Sequence, residues 1–337
     1  MESLMSYKIL ITDYVWPNIE PEKKVLSSID AEIIVAPNSD ENTLCSLAKD
    51  VDGILTCFAQ VTEKVIRSAK KCVVIGRYGV GVDNISVSTA TDLGIAVTYV
   101  PDYCMEEVSD HVIGLMLCWN RKIAFFDADT KQNAWGHSPL TMRIMRLKGK
   151  TLGIVGFGRI GKAVSQKAKS FGMNILTYDP FISQTEAASF GVNSTSLENL
   201  LQCSDFVSLH SPYTEETHNM IGQEQLDLMK SDSFLINCAR GPLIDEEALL
   251  KALKSKNIAG AGLDVMVDSI PPSNHPLMKL DNILITPHIS FFSQESVLEL
   301  EERAAEEVKS VLLGQMPENL VNKEVLKHSL PRHKLSK

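Results

Sequence analysis

Three glycines, Gly156, Gly158 and Gly161, stand as GxGxxG within "GIVGFGRIG". An apolar run, "TLGIV", leads into them and a helix-like run, "RIGKAVSQKAKSFG", leads out. In that setting the first glycine allows a tight turn, the second lets the backbone approach a pyrophosphate, and the third lets helix and strand pack closely. The helix start, with Arg159 and Ile160, offers amide donors and its dipole to phosphate. The next strand-like run, "NILTYD", ends at Asp179, where a carboxylate can accept hydrogen bonds from ribose hydroxyls. The same carboxylate repels a 2′-phosphate, so the pattern predicts NAD rather than NADP.

Further along, three strand-like runs end in residues with acid-base or anion-binding chemistry. "LINCARGPLIDEEAL" presents Arg240, "AGLDVMVDSIPP" presents Asp264 and Asp268, and "ILITPHISF" presents His288. Open α/β sheets bind ligands at the carboxyl ends of their strands, so these are the candidate reacting groups. His137, His218, His275, His328 and His333 share no metal-ligand spacing; they read as solvated, and no metal site is expected.

The elements that must position these groups alternate along the chain. "YKILITD", "AEIIVAP", "VDGILTC", "CVVIG" and "IAVTYVP" read as strands with helices between them. The rhythm restarts with "TLGIVGF", "NILTYDP", "FVSLHSP", "SFLINCA", "AGAGLDV" and "NILITPH", which predicts two parallel α/β sheets. Met105 to Ile123 is apolar on nearly every face and reads as a buried junction helix. Near the C-terminus Val297, Leu300, Ala304, Val308 and Val311 mark one face of an amphipathic helix that has no following strand, and "LPRHKLSK" reads as a frayed tail.

Composition narrows the function classes. A chain of 337 residues with 44% hydrophobic content can bury two cores. No apolar run reaches the roughly 18 to 20 residues that cross a bilayer, and the N-terminus lacks the pattern of a secretory signal. Seven cysteines without CxxC pairing read as reduced thiols, and a cytoplasmic protein is expected. The formal net charge of -9 disfavours nucleic acid as a partner.

Over nearly its full length the chain resembles the D-isomer specific 2-hydroxyacid dehydrogenase family. The resemblance rests on "RYGVGVDNI", "EEVSDH", "GIVGFGRIGKAV", "SLHSPYTEETHNMI", "INCARGPLIDEEALLKAL", "GAGLDV" and "NILITPHIS" in that order. "EEVSDH", "FDADT" and "HISFFSQES" are most similar to the branch of the C-terminal-binding-protein corepressors. The resemblance implies two Rossmann-like or flavodoxin-like parallel-sheet domains, with the NAD-binding domain (101–291) inserted into a discontinuous substrate domain (1–100 and 292–337). The orphan C-terminal helix then packs on the N-terminal sheet, and crossings near Pro101 and Ser290 act as a hinge. It also implies a homodimer, with the subunit contact in "WGHSPLTMRIMRL".

A 2-hydroxy acid needs its carboxylate held, its hydroxyl proton managed and its C2 hydrogen aimed at nicotinamide. The Arg240 fork suits the carboxylate and polarises the C2 oxygen, and His288 suits proton transfer. By resemblance, substrate contacts fall to Tyr78, Val80 and Gly81. Cofactor contacts fall to His210, Pro212, Thr217, Cys238, Ala239, Arg240, Asp264 and His288 as well as the glycine loop, His210 lining the cleft without transferring a proton. The family's usual glutamate partner of the catalytic histidine is replaced by Ser269, with Asp268 one residue earlier. Either Asp268 reaches His288 through a shifted loop, or the carboxylate is absent. Without it neutral imidazole is favoured, and ketone reduction falls off at lower pH than in glutamate-bearing relatives. Two other readings compete with an NAD-dependent oxidoreductase of small 2-hydroxy or 2-oxo acids. One is a dinucleotide sensor of the corepressor type with little turnover; the other is a same-fold dehydrogenase of a small anion such as phosphite or formate.

Overall fold

Short runs of β-branched and leucine residues make the strands, and burial on both faces explains why they read as continuous apolar runs. The computed structural model describes residues 7–133, 135 and 142–327. Contacts divide the chain into two units, one built from the residues up to Tyr103 and from Ser293 on, the other from Cys104–Phe292.

Unit 1 carries β1 (Lys8–Ile11), β2 (Glu32–Val35), β3 (Gly53–Thr56), β4 (Val74–Arg77) and β5 (Ala96–Thr98). These form a parallel sheet in the order β2-β1-β3-β4-β5, a doubly wound order with its switch point between β1 and β3. Its helices are α1 (Glu20–Leu26), α2 (Glu41–Leu47), α3 (Glu63–Ser68) and α4 (Val87–Asp92). Unit 2 opens with α5 (Met105–Arg121) and α6 (Ile123–Asn133). Its strands are β6 (Thr151–Val155), β7 (Asn174–Tyr178), β8 (Asn193–Ser194), β9 (Phe206–Leu209), β10 (Phe234–Asn237), β11 (Gly260–Leu263) and β12 (Ile283–Ile285). Their parallel order is β12-β11-β10-β9-β6-β7-β8, with the switch point between β6 and β9. Helices α7 (Arg159–Ser170), α8 (Gln184–Ser189), α9 (Leu197–Cys203), α10 (Gln223–Leu228) and α11 (Glu246–Lys254) complete this unit, and α12 (Gln294–Leu312) returns to unit 1.

The C-terminal helix behaves as its pattern predicts. Val297, Leu300, Ala304, Val308 and Val311 are all buried. Val308 sits over glycines of β3 and β4: a Cβ on Gly53 would lie 3.2 Å from it and one on Gly76 2.6 Å. The junction helix differs from expectation. It ends at Arg121, capped by Lys122 in the left-handed region, and it is one-sided, burying Val108, Val112, Ile113, Leu115 and Met116 while Gly114 faces open space. On the buried side Trp119 stacks on Phe234 of β10 with centroids 4.7 Å apart. The short edge strand β8, two polar residues long, carries no periodic signal.

Unit 1 also buries an acidic pair. Tyr78 donates its hydroxyl to Glu22 of α1 at 3.0 Å, and Glu301 of α12 lies beside Glu22, both carboxyls almost wholly buried. Burial first, and then the Glu22 carboxyl, push Glu301 from its ordinary 4.5 up to about 8; burial raises Glu22 as well. A raised folded-state pKa contributes stability that is complete below the unfolded value and lost as pH climbs through the folded one. Glu301→Gln, which cannot ionise, is therefore expected to gain stability relative to the parent as pH rises from about 5 to 8. The gain levels off above that at about 1–3 kcal/mol, and thermal melts across that range test it.

Candidate active site

The glycine loop of unit 2 has the shape a dinucleotide needs. Gly156, at φ 90°, packs where a Cβ would lie 2.7 Å from the backbone of His210 and of Ser211. A Cβ on Gly161 would overlap the Gly156 carbonyl oxygen, so β6 and α7 approach as only glycine permits. A Cβ on Gly158, at the N-cap of α7, would meet open space. That vacant face, at the amino end of a twelve-residue helix, fits a pyrophosphate. Arg159 is exposed there and Ile160 half-buried. Asp179, one residue past β7, accepts from the Phe157 amide at 2.7 Å and the Phe181 amide at 2.8 Å, which ties the carboxylate to the loop.

Beyond the switch point, His210 hydrogen-bonds Ser208 through Nε2 at 2.9 Å. Desolvation pushes its pKa down to about 4, so it is neutral at physiological pH and cannot serve as the acid there. Thr217 spends its hydroxyl on the Pro212 carbonyl at 2.8 Å, shaping the exposed turn after β9. Cys238 is buried, and burial, then the Asp264 charge, hold its thiol well above its ordinary value; its part is packing beside the half-buried Ala239.

Arg240, Asp264 and His288 follow the ends of the neighbouring strands β10, β11 and β12. Two buried side chains set the loops that carry them. Asn237, fully buried at the end of β10, donates to the Arg240 carbonyl at 2.8 Å and accepts from the Ala239 amide at 3.0 Å. Arg240 in turn donates Nη1 to the Ala239 carbonyl at 2.7 Å. A Cβ on Gly241 would overlap the Met266 backbone, so the Arg240 loop is seated directly on the segment after β11. Asp264 clamps the other loop: Oδ1 accepts from Thr286 at 2.6 Å and the Ile289 amide at 2.9 Å, and Oδ2 from the Ser290 amide at 2.9 Å. The His288 amide donates to the Asp264 carbonyl at 2.8 Å, and His288 is held at φ 52°, in the left-handed region.

The Asp264 side chain has 0% exposed surface, and its oxygens organise the His288 turn. Asp268 and Ser269 are exposed, and among the described residues no hydrogen bond or ion pair joins Asp268 to His288. Tyr78 is 1% exposed, with its hydroxyl donated to Glu22. His275, expected to be solvated, is half-buried with Nε2 3.4 Å from Glu246, whereas His218 is exposed. His137, His328, His333 and residues 136–141 of the expected subunit-contact segment lie outside the described residues.

In unit 1, Val80 is exposed and Gly81 half-buried on the turn after β4. Arg77, just before that turn, was not singled out in the sequence. It is 8% exposed, and a Cβ on Gly79 would lie 2.5 Å from its Nη1. No acidic side chain among the described residues pairs with it. Asp13 grips the neighbouring loop through the amides of Cys57, Phe58 and Ala59, and Asn84 grips it through the carbonyls of Cys57 and Ala59.

A glycine cradle, a carboxylate closing it, and an arginine and a histidine at the ends of β10 and β12, on either side of β11, define a dinucleotide-dependent dehydrogenase. Residues 113–290 match the NAD binding domain of the D-isomer specific 2-hydroxyacid dehydrogenases. The chain is 41% identical to a D-3-phosphoglycerate dehydrogenase of Methanocaldococcus jannaschii over 98% of its own length, spanning 61% of that protein. It is also 41% identical to a glyoxylate reductase of Korarchaeum cryptofilum, covering 87% of this chain and 89% of the relative. Among solved structures, the D-lactate dehydrogenase of Aquifex aeolicus, complexed with NAD and lactic acid, superposes with a TM-score of 0.82 at 30% identity, covering 91% of this chain and 96% of that one. The chain belongs to the D-isomer specific 2-hydroxyacid dehydrogenase family, and the cofactor that its unit 2 is built to hold is NAD.

Proposed function

We propose that the protein reduces a small 2-oxo acid to the D-2-hydroxy acid with NADH, and runs the reverse oxidation, in the cytoplasm and as a homodimer. The observation that carries this reading is the placement of Arg240 and His288 on loops fixed by buried Asn237 and Asp264, in the same unit as the glycine cradle. Bound nicotinamide supplies the hydride. Arg240 pairs with the substrate carboxylate and polarises the C2 oxygen. His288 gives that oxygen a proton in reduction and takes the hydroxyl proton in oxidation. The amides of Val80 and Gly81 keep the carboxylate-binding role that the family resemblance implies. The buried cation of Arg77 beside the Gly79 turn favours an anionic substrate.

Small 2-oxo acids are favoured over corepressor-type sensing because proteins named glyoxylate reductase and D-3-phosphoglycerate dehydrogenase are both similar to this chain. NADH oxidation with glyoxylate, hydroxypyruvate, pyruvate and 3-phosphohydroxypyruvate tests the reading. Turnover with at least one of them, abolished in Arg240→Ala, is the expected result; tight NADH binding without turnover on any would overturn it. The cofactor preference has its own test. Asp179→Ser removes the charge that opposes a 2′-phosphate, and the NADH-to-NADPH ratio of kcat/KM is expected to fall by about 10²-fold, since like-charge juxtaposition costs several kcal/mol.

A further inference from the structure

His111 lies on α5 and belongs to none of the groups assigned so far. Its Nε2 is 2.9 Å from the Thr286 hydroxyl oxygen and 3.8 Å from Asp264 Oδ1. Thr286 in turn stands 2.6 Å from the same Oδ1, a distance typical of a hydroxyl donating to a carboxylate. The single hydroxyl proton of Thr286 is therefore spent on Asp264, and only lone pairs face His111. A hydrogen bond at 2.9 Å then requires the proton on the imidazole side. In the opposite tautomer two lone pairs would meet, or Thr286 would swing its proton to His111 and leave two oxygens 2.6 Å apart with nothing between them.

We propose that His111 is a positioning residue: held as the Nε2–H tautomer, it donates to Thr286, which fixes the hydroxyl proton on Asp264, the carboxylate that shapes the His288 turn. The chain is buried where it matters, since the Asp264 side chain has 0% exposed surface and that of His111 only 22%. It is also short, because Thr286 stands two residues before His288 and its carbonyl accepts from the His288 amide at 3.1 Å. Packing fixes the donor: α5 is anchored on the sheet of unit 2 by Trp119 stacked on Phe234, two turns after His111. His288 must hold a left-handed conformation that costs a non-glycine residue strain. The Asp264 bonds to Ile289 and Ser290 oppose that strain, and the aim of Asp264 depends on Thr286 and His111.

This inference rests on the reading of His288 as the proton donor and acceptor, and its test separates the two. Nitrogen-15 spectra of the full-length protein, with the His111 signal identified by its loss in His111→Gln, are expected to show the Nε2–H tautomer. In Thr286→Val that signal should shift toward a mixture of tautomers. Kinetically, His111→Ala and Thr286→Val should each lower kcat by about tenfold with the NADH KM unchanged, the scale of a lost buried hydrogen bond. His111→Gln, whose amide N–H can donate from nearly the same place, and Thr286→Ser should recover most of the loss. An Nδ1–H tautomer in the parent, or a kcat indifferent to His111→Ala, overturns the proposal. An active His288→Asn enzyme would instead overturn the role of His288 while leaving the His111 tautomer as it was.

Discussion

His288→Asn is expected to lower kcat for 2-oxo acid reduction by about 10²- to 10⁴-fold, the contribution of a positioned acid or base, while the melting temperature and the affinity for NADH stay close to the parent's. Asparagine is the informative replacement. His288 sits at φ 52°, and asparagine is among the few residues that accept this region without strain. Alanine would confound lost chemistry with a disturbed turn. The amide keeps polar contacts but carries no proton that it can give up. Single-turnover measurements at saturating NADH and substrate separate this from a binding defect. A variant retaining more than a tenth of parental kcat would move the proton transfer to another group.

Arg240→Lys is expected to cost about 10²- to 10³-fold in kcat/KM, the scale of losing one preorganised donor to a developing oxyanion. The change keeps the charge and removes the fork. Arg240 is fixed on both sides: Nη1 is tied to the Ala239 carbonyl, and its own carbonyl is tied to Asn237. A lysine ammonium on that loop would reach the carboxylate from one point only, so the substrate could pivot and the C2 oxygen would lose its partner. The loss should appear in both kcat and KM, because the same side chain is proposed to bind the ground state and polarise the carbonyl. A fall confined to KM would show that Arg240 only anchors the substrate.

Much of this site was legible because it depends on local rules. The glycine spacing, the strand that ends at Asp179 and the strand ends at Arg240 and His288 are set within a few residues of chain, and so is the apolar face of α12. The partners of buried polar groups are not local. Tyr78 belongs to a glycine-rich turn that resembles a substrate loop, yet its phenol is claimed by Glu22, 56 residues earlier. For Asp264 the family resemblance implies a cofactor contact, but nothing local shows that its oxygens accept from amides 25 and 26 residues later. His111 stood inside a quoted motif without a role, since its partner Thr286 is 175 positions away. Asn237 could have been suspected, as a polar residue ending an apolar strand is a common device for ordering the loop that follows.

The return of α12 to the first sheet has a consequence for how the protein is made. Tyr7, just before β1, donates its hydroxyl to the carbonyl of Leu312, 305 positions away, and Val308 closes over Gly53 and Gly76. During synthesis the first sheet therefore leaves the ribosome without the helix that covers it. The continuous second unit has every strand it needs before that helix is translated. Contacts of such long range close slowly, and exposed sheet surface in the interval invites association between nascent chains. The inserted unit is the one equipped to fold first, and nascent chains stopped before Gln294 should depend on a chaperone that covers β3 and β4.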